Sequence, residues 1–487
     1  MTYALIPLLV AAFAVWLGRR LLALVAFFAY LAVEGMLKLM SDYQPVVHVG
    51  ADLVLLSITA AWVLGATLRG RRGLPRAPLA GLILLHALWV LMLLFHPLTA
   101  SLFVGLAALK IHLTMIPLYF LAFVVIRSRE DAQRALTGLV AVAYLPFALA
   151  LVQYALGPAS VFDLSDRYWQ NIALYHEWRP FGTSAVPGGT ATFAFLTVPL
   201  AVALLLSPDA TRRVRWLAVG AVALGAGTFL VAGGRQMLLG CLLALLTMAA
   251  IGSGRRFGRA AFVLSLVAVL AGGAYVGVQT FLRPLATEAI AADPRSPAIW
   301  RERSVLDRLN TLTEIGTYTE ARAGALDRVV SRLRRYPLGA GLGRTGSAGG
   351  RLRREMGTGS LSASINREVG FSDNYFADML SETGVPGTIM LTTIVIGMGL
   401  MAGRLARRAT DRFAAVLGAA VAGIVFALLA MSWGSQPLLS NPTTAYFWFL
   451  AGTVAALRRV DLEAREAAAE PTGTGALPPA PRLAAAR

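Results

Sequence analysis

Four short stretches bring together residue types that can hold an anion or move a proton. The first reads Val231-Ala232-Gly233-Gly234-Arg235-Gln236-Met237. Gly233 and Gly234 remove side-chain bulk so that a ligand can approach the backbone, and the Arg235 guanidinium follows at the start of a helical run. Such a corner suits an anion; the plainer alternative is a tight interhelical turn whose arginine snorkels to lipid headgroups. The second stretch, Glu320-Ala321-Arg322, opens an amphipathic segment in which Leu326, Val329, Val330 and Leu333 recur at helical spacing, and Tyr336-Pro337 should end it. Arg328, Arg332, Arg334 and Arg335 decorate this segment, which reads equally as a solvated basic face or one lying on anionic headgroups.

The third stretch runs from Pro337-Leu338-Gly339-Ala340-Gly341 through Leu342-Gly343-Arg344-Thr345-Gly346. It contains G-x-G-x-x-G, but no strand-helix unit frames it, so a dinucleotide site is set aside. The amides around Gly341 and Gly343, with Arg344 beside them, can still form an anion nest. The fourth is Phe371-Ser372-Asp373-Asn374-Tyr375-Phe376, followed by Asp378, Glu382 and Gly384-Val385-Pro386-Gly387. Asn374, Asp378 and Glu382 are spaced i, i+4, i+8 and share one helix face. Asp373 suits a general base at a helix mouth, or an N-cap worth about 1 kcal/mol. Arg179, in Trp178-Arg179-Pro180, adds one more arginine or an interfacial anchor. Lys110 and His112 fall inside an apolar run, where an ionisable residue calls for a partner; Glu34, Lys38 and Asp42 are the candidates. No metal-ligand cluster and no phosphate-loop motif is legible, so no metal and no cofactor is expected.

The elements that must position these residues follow from composition. Of 487 residues, 57% are hydrophobic and only 14% charged, which a water-soluble fold could not reconcile with its own surface. A soluble enzyme, a disordered scaffold and a secreted disulfide protein are excluded, the last also by the single Cys241. Thirteen apolar runs of spanning length fall at about 3–18, 20–37, 49–68, 77–95, 99–126, 133–156, 190–206, 213–232, 236–252, 259–281, 376–402, 413–432 and 441–457. The fold class expected is an all-α polytopic membrane protein of about 13 transmembrane helices with one large outer loop containing amphipathic helices.

Arginine marks alternate connections: Arg19 and Arg20, Arg69 to Arg76, Arg127 to Arg134, Arg212 to Arg215, Arg255 to Arg259, Arg404 to Arg412, and Arg458 with Arg459. These loops are assigned to the cytoplasm, and they absorb much of the +18 charge, so no nucleic-acid partner is inferred. The expected organisation is helices 1 to 10 over residues 1–282, an outer loop over 283–373, helices 11 to 13 over 374–460, and a disordered cytoplasmic tail over 461–487.

Taken in order, these features resemble the bacterial O-antigen ligase and O-antigen polymerase superfamily. Members have many spans, a small-residue-plus-arginine turn, and a large periplasmic loop carrying an arginine, a Pro-Leu-x-Gly-x-Gly segment and a His-Asn pair before a Gly-x-x-Gly helix start. The matching residues are Gly233-Gly234-Arg235, Arg322, Pro337-Leu338-Gly339-Ala340-Gly341, Asp373-Asn374 and Gly384-Val385-Pro386-Gly387. Two departures stand out: Gly234 where serine often precedes the arginine, and Asp373 where ligases carry histidine.

The resemblance implies metal-independent, inverting glycosyl transfer at the periplasmic face of the bacterial inner membrane. The donor is a glycan on undecaprenyl diphosphate and the acceptor a glycan or lipid-glycan hydroxyl. On that basis Arg235 and Arg322, assisted by Arg179, hold the diphosphate and stabilise it as it leaves. Asp373 takes or orients the hydroxyl proton and Asn374 fixes its carboxylate. The missing histidine, with all five histidines lying before the outer loop, favours a polymerase over a ligase. A carrier for lipid-linked sugars is the rival outside the enzyme class; it predicts charged residues in the midplane of several spans.

Overall fold

The computed structural model describes residues 15–42, 44–70, 75–99, 101–162, 178–252, 257–293, 333–343 and 374–469, with positions 9, 12, 13 and 330. Among the described residues there is no β-strand. The helices are α1 (Arg20–Met40), α2 (Gly50–Leu68), α3 (Ala80–Leu93), α4 (Leu102–Leu113), α5 (Pro117–Val125), α6 (Arg129–Val142), α7 (Tyr144–Leu156) and α8 (Ala191–Leu206). They continue as α9 (Arg212–Ala232), α10 (Arg235–Gly252), α11 (Phe257–Gly277), α12 (Arg283–Ala292), α13 (Tyr375–Arg408), α14 (Arg412–Met431) and α15 (Thr443–Ala469).

Twelve of the thirteen apolar runs fall on these helices. Among the described residues, seven helical stretches are long and apolar enough to cross a membrane, counting α4 with α5 and α6 with α7 as one each. Ala80–Leu93, Ala191–Leu206 and Arg235–Ile251 are apolar but shorter. Pro117 opens α5 and so breaks the fifth run, because its ring fits the first turn of a helix and not the middle of one.

Helix α14 sits at the centre, 78% of its apolar window buried, and packs on α10 and α13. Small residues set these distances: a Cβ at Gly423 would collide with the Ala244 backbone of α10, and one at Gly418 would lie 2.8 Å from the Ala402 carbonyl oxygen of α13. Without a hydrophobic drive between helices in lipid, such close backbone approach supplies much of the packing.

After α11 a π turn at Val278–Leu282 leads straight into α12, which ends at Ala292, so the segment expected as an outer loop from 283 opens with a helix. The wider turn absorbs Pro284, whose ring and missing N–H an unbroken α-helix would not accept. One expected boundary moves: the tail is not unstructured from 461, because α15 continues to Ala469. Its last turns are fixed by the Arg465–Asp461 ion pair at 2.8 Å, by hydrogen bonds from the Thr410 backbone and hydroxyl to Asp461 Oδ1 at 2.9 and 2.8 Å, and by Arg465 donating to the Arg408 carbonyl. Residues 470–487 lie outside the described residues.

The helix ends sort into two groups. Arg129 pairs with Asp209 and, at 3.2 Å, with Asp411, tying the start of α6 to the loops before α9 and α14. Arg459 of α15 donates to the Ile126 carbonyl at 3.0 Å and lies 4.6 Å over the Phe123 ring. The connections around 127–134, 207–215, 404–412 and 458–465 therefore meet at one end of the bundle. The opposite ends of α9 and α14, helices of 21 and 20 residues, lie about 30 Å away at 1.5 Å per residue, and with the start of α13 they carry the candidate site.

Candidate functional site

The glycine corner forms as a helix terminus. Gly233 ends α9 in the left-handed region (φ 63°), its N–H bonded to the Phe229 carbonyl at 3.2 Å, and Arg235 opens α10. The segment before α8 wraps this turn. Gly188 (φ 71°) leaves no room for a Cβ against the Ala232 carbonyl, and such a Cβ would lie 3.7 Å from Arg179 Cδ. A Cβ at Gly234 would lie 2.6 Å from that of Ala191. Arg179 and the Gly233–Arg235 turn thus meet at one corner, both arginines partly buried. Buried Trp178 fixes the approach of Arg179 by donating to the Tyr154 carbonyl at 3.3 Å.

Arg235 connects to the start of α13 through α14. Gln236 donates to the Met431 carbonyl at 2.8 Å, and just beyond, Tyr375 N–H bonds the Ser432 and Ser435 carbonyls at 3.0 and 3.2 Å. Gln436 donates to Asp378 Oδ2. Asn374, Asp378 and Glu382 lie on one face as their spacing requires, and all are buried, at 1%, 1% and 5% exposure. The cap, however, is Asn374 and not Asp373: Asn374 Oδ1 accepts from Ala377 N at 3.1 Å. The cap uses only the amide oxygen; the expected hold on the Asp373 carboxylate would come from the amide NH2, and Asp373 lies outside the described residues.

The two glycine motifs of the outer loop prove to be halves of one joint. Gly384 interrupts α13 with φ 67° and ψ −169°, a conformation open essentially to glycine alone. The interruption frees the Ser381 carbonyl and the Val385 N–H, which would bond each other in an unbroken helix. The segment Pro337–Ala340 fills the gap: Ala340 N–H donates to Ser381 O at 2.8 Å and Val385 N–H to Pro337 O at 3.0 Å. Gly339 (φ 98°) is required there, since a Cβ would lie 2.8 Å from Gly384 N.

Gly341 and Gly343 continue this strap into the corner between α3 and α4. A Cβ at Gly341 would lie 2.7 Å from Thr99 Oγ1 and 3.2 Å from His96 Nδ1, and one at Gly343 would lie 3.1 Å from the Val104 carbonyl oxygen. Leu342 between them is fully buried beside Val90, Leu93, Leu94 and Ala108. The close approach these glycines permit is therefore to the protein's own backbone and side chains. Leu333, Arg334 and Arg335 are helical and the helix stops at Tyr336, as Pro337 demands. Asp373, Arg322 and Arg344 lie outside the described residues.

Sequence reasoning missed the partners of the charged residues in the spans. Lys110 pairs with Asp52 of α2 at 2.7 Å and donates to the His48 carbonyl at 3.0 Å. Two of its candidate partners, Glu34 and Lys38, instead pair with each other along α1 at 2.9 Å. His112 Nε2 meets Glu382 Oε2 at 3.0 Å, joining α4 to the functional face of α13. Among the described residues no group of three or more His, Cys, Asp or Glu side chains has metal-binding geometry. No protein-family model matches the chain, and no curated protein matches it. The described site is a corner where two partly buried arginines converge on a glycine turn, linked through α14 to a buried acidic face on a kinked helix.

Proposed function

We propose that this protein transfers a glycan from an undecaprenyl-diphosphate carrier to a sugar hydroxyl at the outer face of the bacterial inner membrane. Its product is a surface polysaccharide extended by polymerisation of repeat units. The observation that carries this reading is the meeting of Arg179 with the Gly233–Arg235 turn, at the same end of the bundle as the strapped mouth of α13. Two arginines at one corner suit a diphosphate whose charge grows as the sugar leaves, because charge-assisted bidentate contacts strengthen with that charge. The family resemblance adds Arg322 to the diphosphate clamp and Asp373 as acceptor of the hydroxyl proton; both lie outside the described residues.

Two other readings have distinct consequences. A ligase would hand the glycan once to lipid A core or another acceptor. A carrier would move the lipid-linked sugar without bond chemistry; the Glu34–Lys38 and Asp52–Lys110 pairs lie near the ends of α1, α2 and α4 and not at mid-span, where a carrier's path would need them. Purified full-length protein in liposomes, given labelled polyprenyl-diphosphate repeat units, should produce a ladder of longer lipid-linked chains. A single addition that requires a separate acceptor identifies a ligase, transbilayer movement without a covalent product identifies a carrier, and either outcome rejects the polymerase.

A further inference from the structure

Every residue from 178 to 183 is buried except Arg179, which is partly buried. The chain is gripped on both sides of that arginine by two neighbouring residues in the last turn of α7. Before it, Trp178 Nε1 donates to the Tyr154 carbonyl at 3.3 Å. After it, the Gln153 amide meets two consecutive peptides. Its Oε1 accepts from the Phe181 N–H at 3.1 Å and the Gly182 N–H at 2.7 Å, and its Nε2 donates to the Gly182 carbonyl at 3.2 Å. The reverse orientation would set the amide NH2 against two N–H donors, so the network settles which way the group points. Thr190 Oγ1 donates to the Phe181 carbonyl at 2.6 Å, the Gly188 N–H to the Pro180 carbonyl at 3.0 Å, and the Met36 N–H of α1 to the Thr183 carbonyl at 2.8 Å.

Packing alone would not need this amide. Trp178 and Phe181 already sit in an apolar cluster with Tyr154 and Val231. Apolar contact sets how deep the segment lies, whereas hydrogen bonds are directional and set its angle as well. Gln153 is 7% exposed, so water does not share its bonds, and an apolar residue there would leave the Phe181 and Gly182 N–H groups unmet. The tether also acts close to the corner. Only Pro180, with its restricted φ, separates Arg179 from the first tethered N–H. A Cβ at Gly188 would lie 3.7 Å from Arg179 Cδ and 2.4 Å from the carbonyl oxygen of Ala232, the residue before the Gly233 turn.

We infer that Gln153 is the positioning residue for Arg179, holding its backbone so that the guanidinium meets the leaving diphosphate from a preset direction. The inference rests on the glycosyl-transfer reading above. Gln153 touches no substrate and acts through Arg179 alone. A cation that stabilises charge developing on a leaving group is effective only if it is aimed before the bond breaks. A shift of about 1 Å, even one caused far from the chemistry, can cost roughly 10²-fold in rate.

The test is a double-mutant cycle on the full-length protein in liposomes with a labelled polyprenyl-diphosphate oligosaccharide donor, measuring kcat and donor KM. Q153M is close to glutamine in size and removes all three hydrogen bonds. It should lower kcat by roughly 10–10²-fold with donor KM little changed. R179A should lower kcat at least as far, and adding Q153M to R179A should cost nothing more, because the group through which Gln153 acts is gone. A merely structural Gln153 would subtract equally from activity in both backgrounds. Thermal unfolding in detergent shows whether each protein is folded; if Q153M is not, Q153N replaces it in the cycle, keeping an amide on α7 but withdrawing it by one carbon. A folded variant with wild-type kcat, or a loss as large in R179A as in the wild type, overturns the positioning role and leaves glycosyl transfer standing. Wild-type protein that makes no product overturns both.

Discussion

The two ends of the bundle treat their carboxylates differently. At the arginine-rich end, Asp209 and Asp411 are matched by Arg129 from another segment, and Asp461 by Arg465 one turn along the same helix. At the opposite end, Asp378 and Glu382 are held by a glutamine amide and an imidazole, while Arg179 and Arg235 gather at a glycine corner. An ion pair between loops spends its charge on tying those loops together. At the opposite end the buried carboxylates of α13 tie that helix to α4 and to the segment after α14, and two arginines converge on a glycine turn. Charged groups thus clasp loops together at one end and, at the other, gather at a glycine corner and along one face of α13.

Removing one arginine from each end gives the sharpest contrast. Arg235→Ala, and likewise Arg322→Ala, should lower transfer from a lipid-diphosphate donor by at least roughly 10²–10³-fold, the scale of losing one preorganised donor to a leaving group. The Arg235→Ala variant should keep the wild-type melting temperature, since Arg235 is only partly buried at a helix start. Arg129→Ala should do the reverse, lowering stability by about 1 kcal/mol with transfer retained, because its partly exposed pairs join loops and touch no substrate. Equal loss of transfer in the Arg129 and Arg235 variants would erase the distinction between the ends.

A second contrast concerns how each end is held. The arginine-rich end depends on side chains, whereas the mouth of α13 depends on backbone hydrogen bonds exchanged with the Pro337–Ala340 strap. Gly384→Ala places a Cβ at φ 67° and ψ −169°, where it is strained and runs into the strap at Leu338 and Gly339. Thermal unfolding should show a loss of about 1–3 kcal/mol. Transfer should fall in parallel, because Asn374, Asp378 and Glu382 all lie on the segment that the kink orients. A Gly384→Ala protein of unchanged stability would mean that the strap does not hold the mouth.

What the sequence disclosed divides along the same line as local and distant contacts. The Gly233–Arg235 corner, the stop at Tyr336-Pro337 and the shared face of Asn374, Asp378 and Glu382 were legible because each is set by neighbours within a turn or two. The two glycine motifs were visible, but their interlocking was not, since no local pattern says which broken hydrogen bond a distant strap will complete. His112 and Glu382 are 270 residues apart, and only the packing of α4 on α13 makes them a pair. Lys110 with Asp52 was hidden for the same reason, and the candidates nearer to one another on α1 were consumed by their own i, i+4 contact. The helical tail end was misjudged because Ala, Glu and Arg without an apolar period resemble disorder until Thr410 and Arg408 supply partners from another loop.

That tail allows the smallest of the tests, directed at the clasp alone. Burial by itself would raise the Asp461 carboxyl, but the Thr410 backbone and hydroxyl hydrogen bonds and the Arg465 guanidinium outweigh it and hold the group below the usual aspartate value. A carboxyl whose value is depressed by folding stabilises the native state fully above its unfolded value. That contribution fades as pH falls through the folded value. Asp461→Asn should therefore cost about 1 kcal/mol near neutral pH. The gap between the melting temperatures of wild type and variant should close as the pH is lowered through the acidic range, with transfer activity at neutral pH unchanged throughout. A gap that stays constant or widens in acid would show that the Asp461 charge does not hold the clasp, and that Thr410 and Arg465 are organised by packing instead.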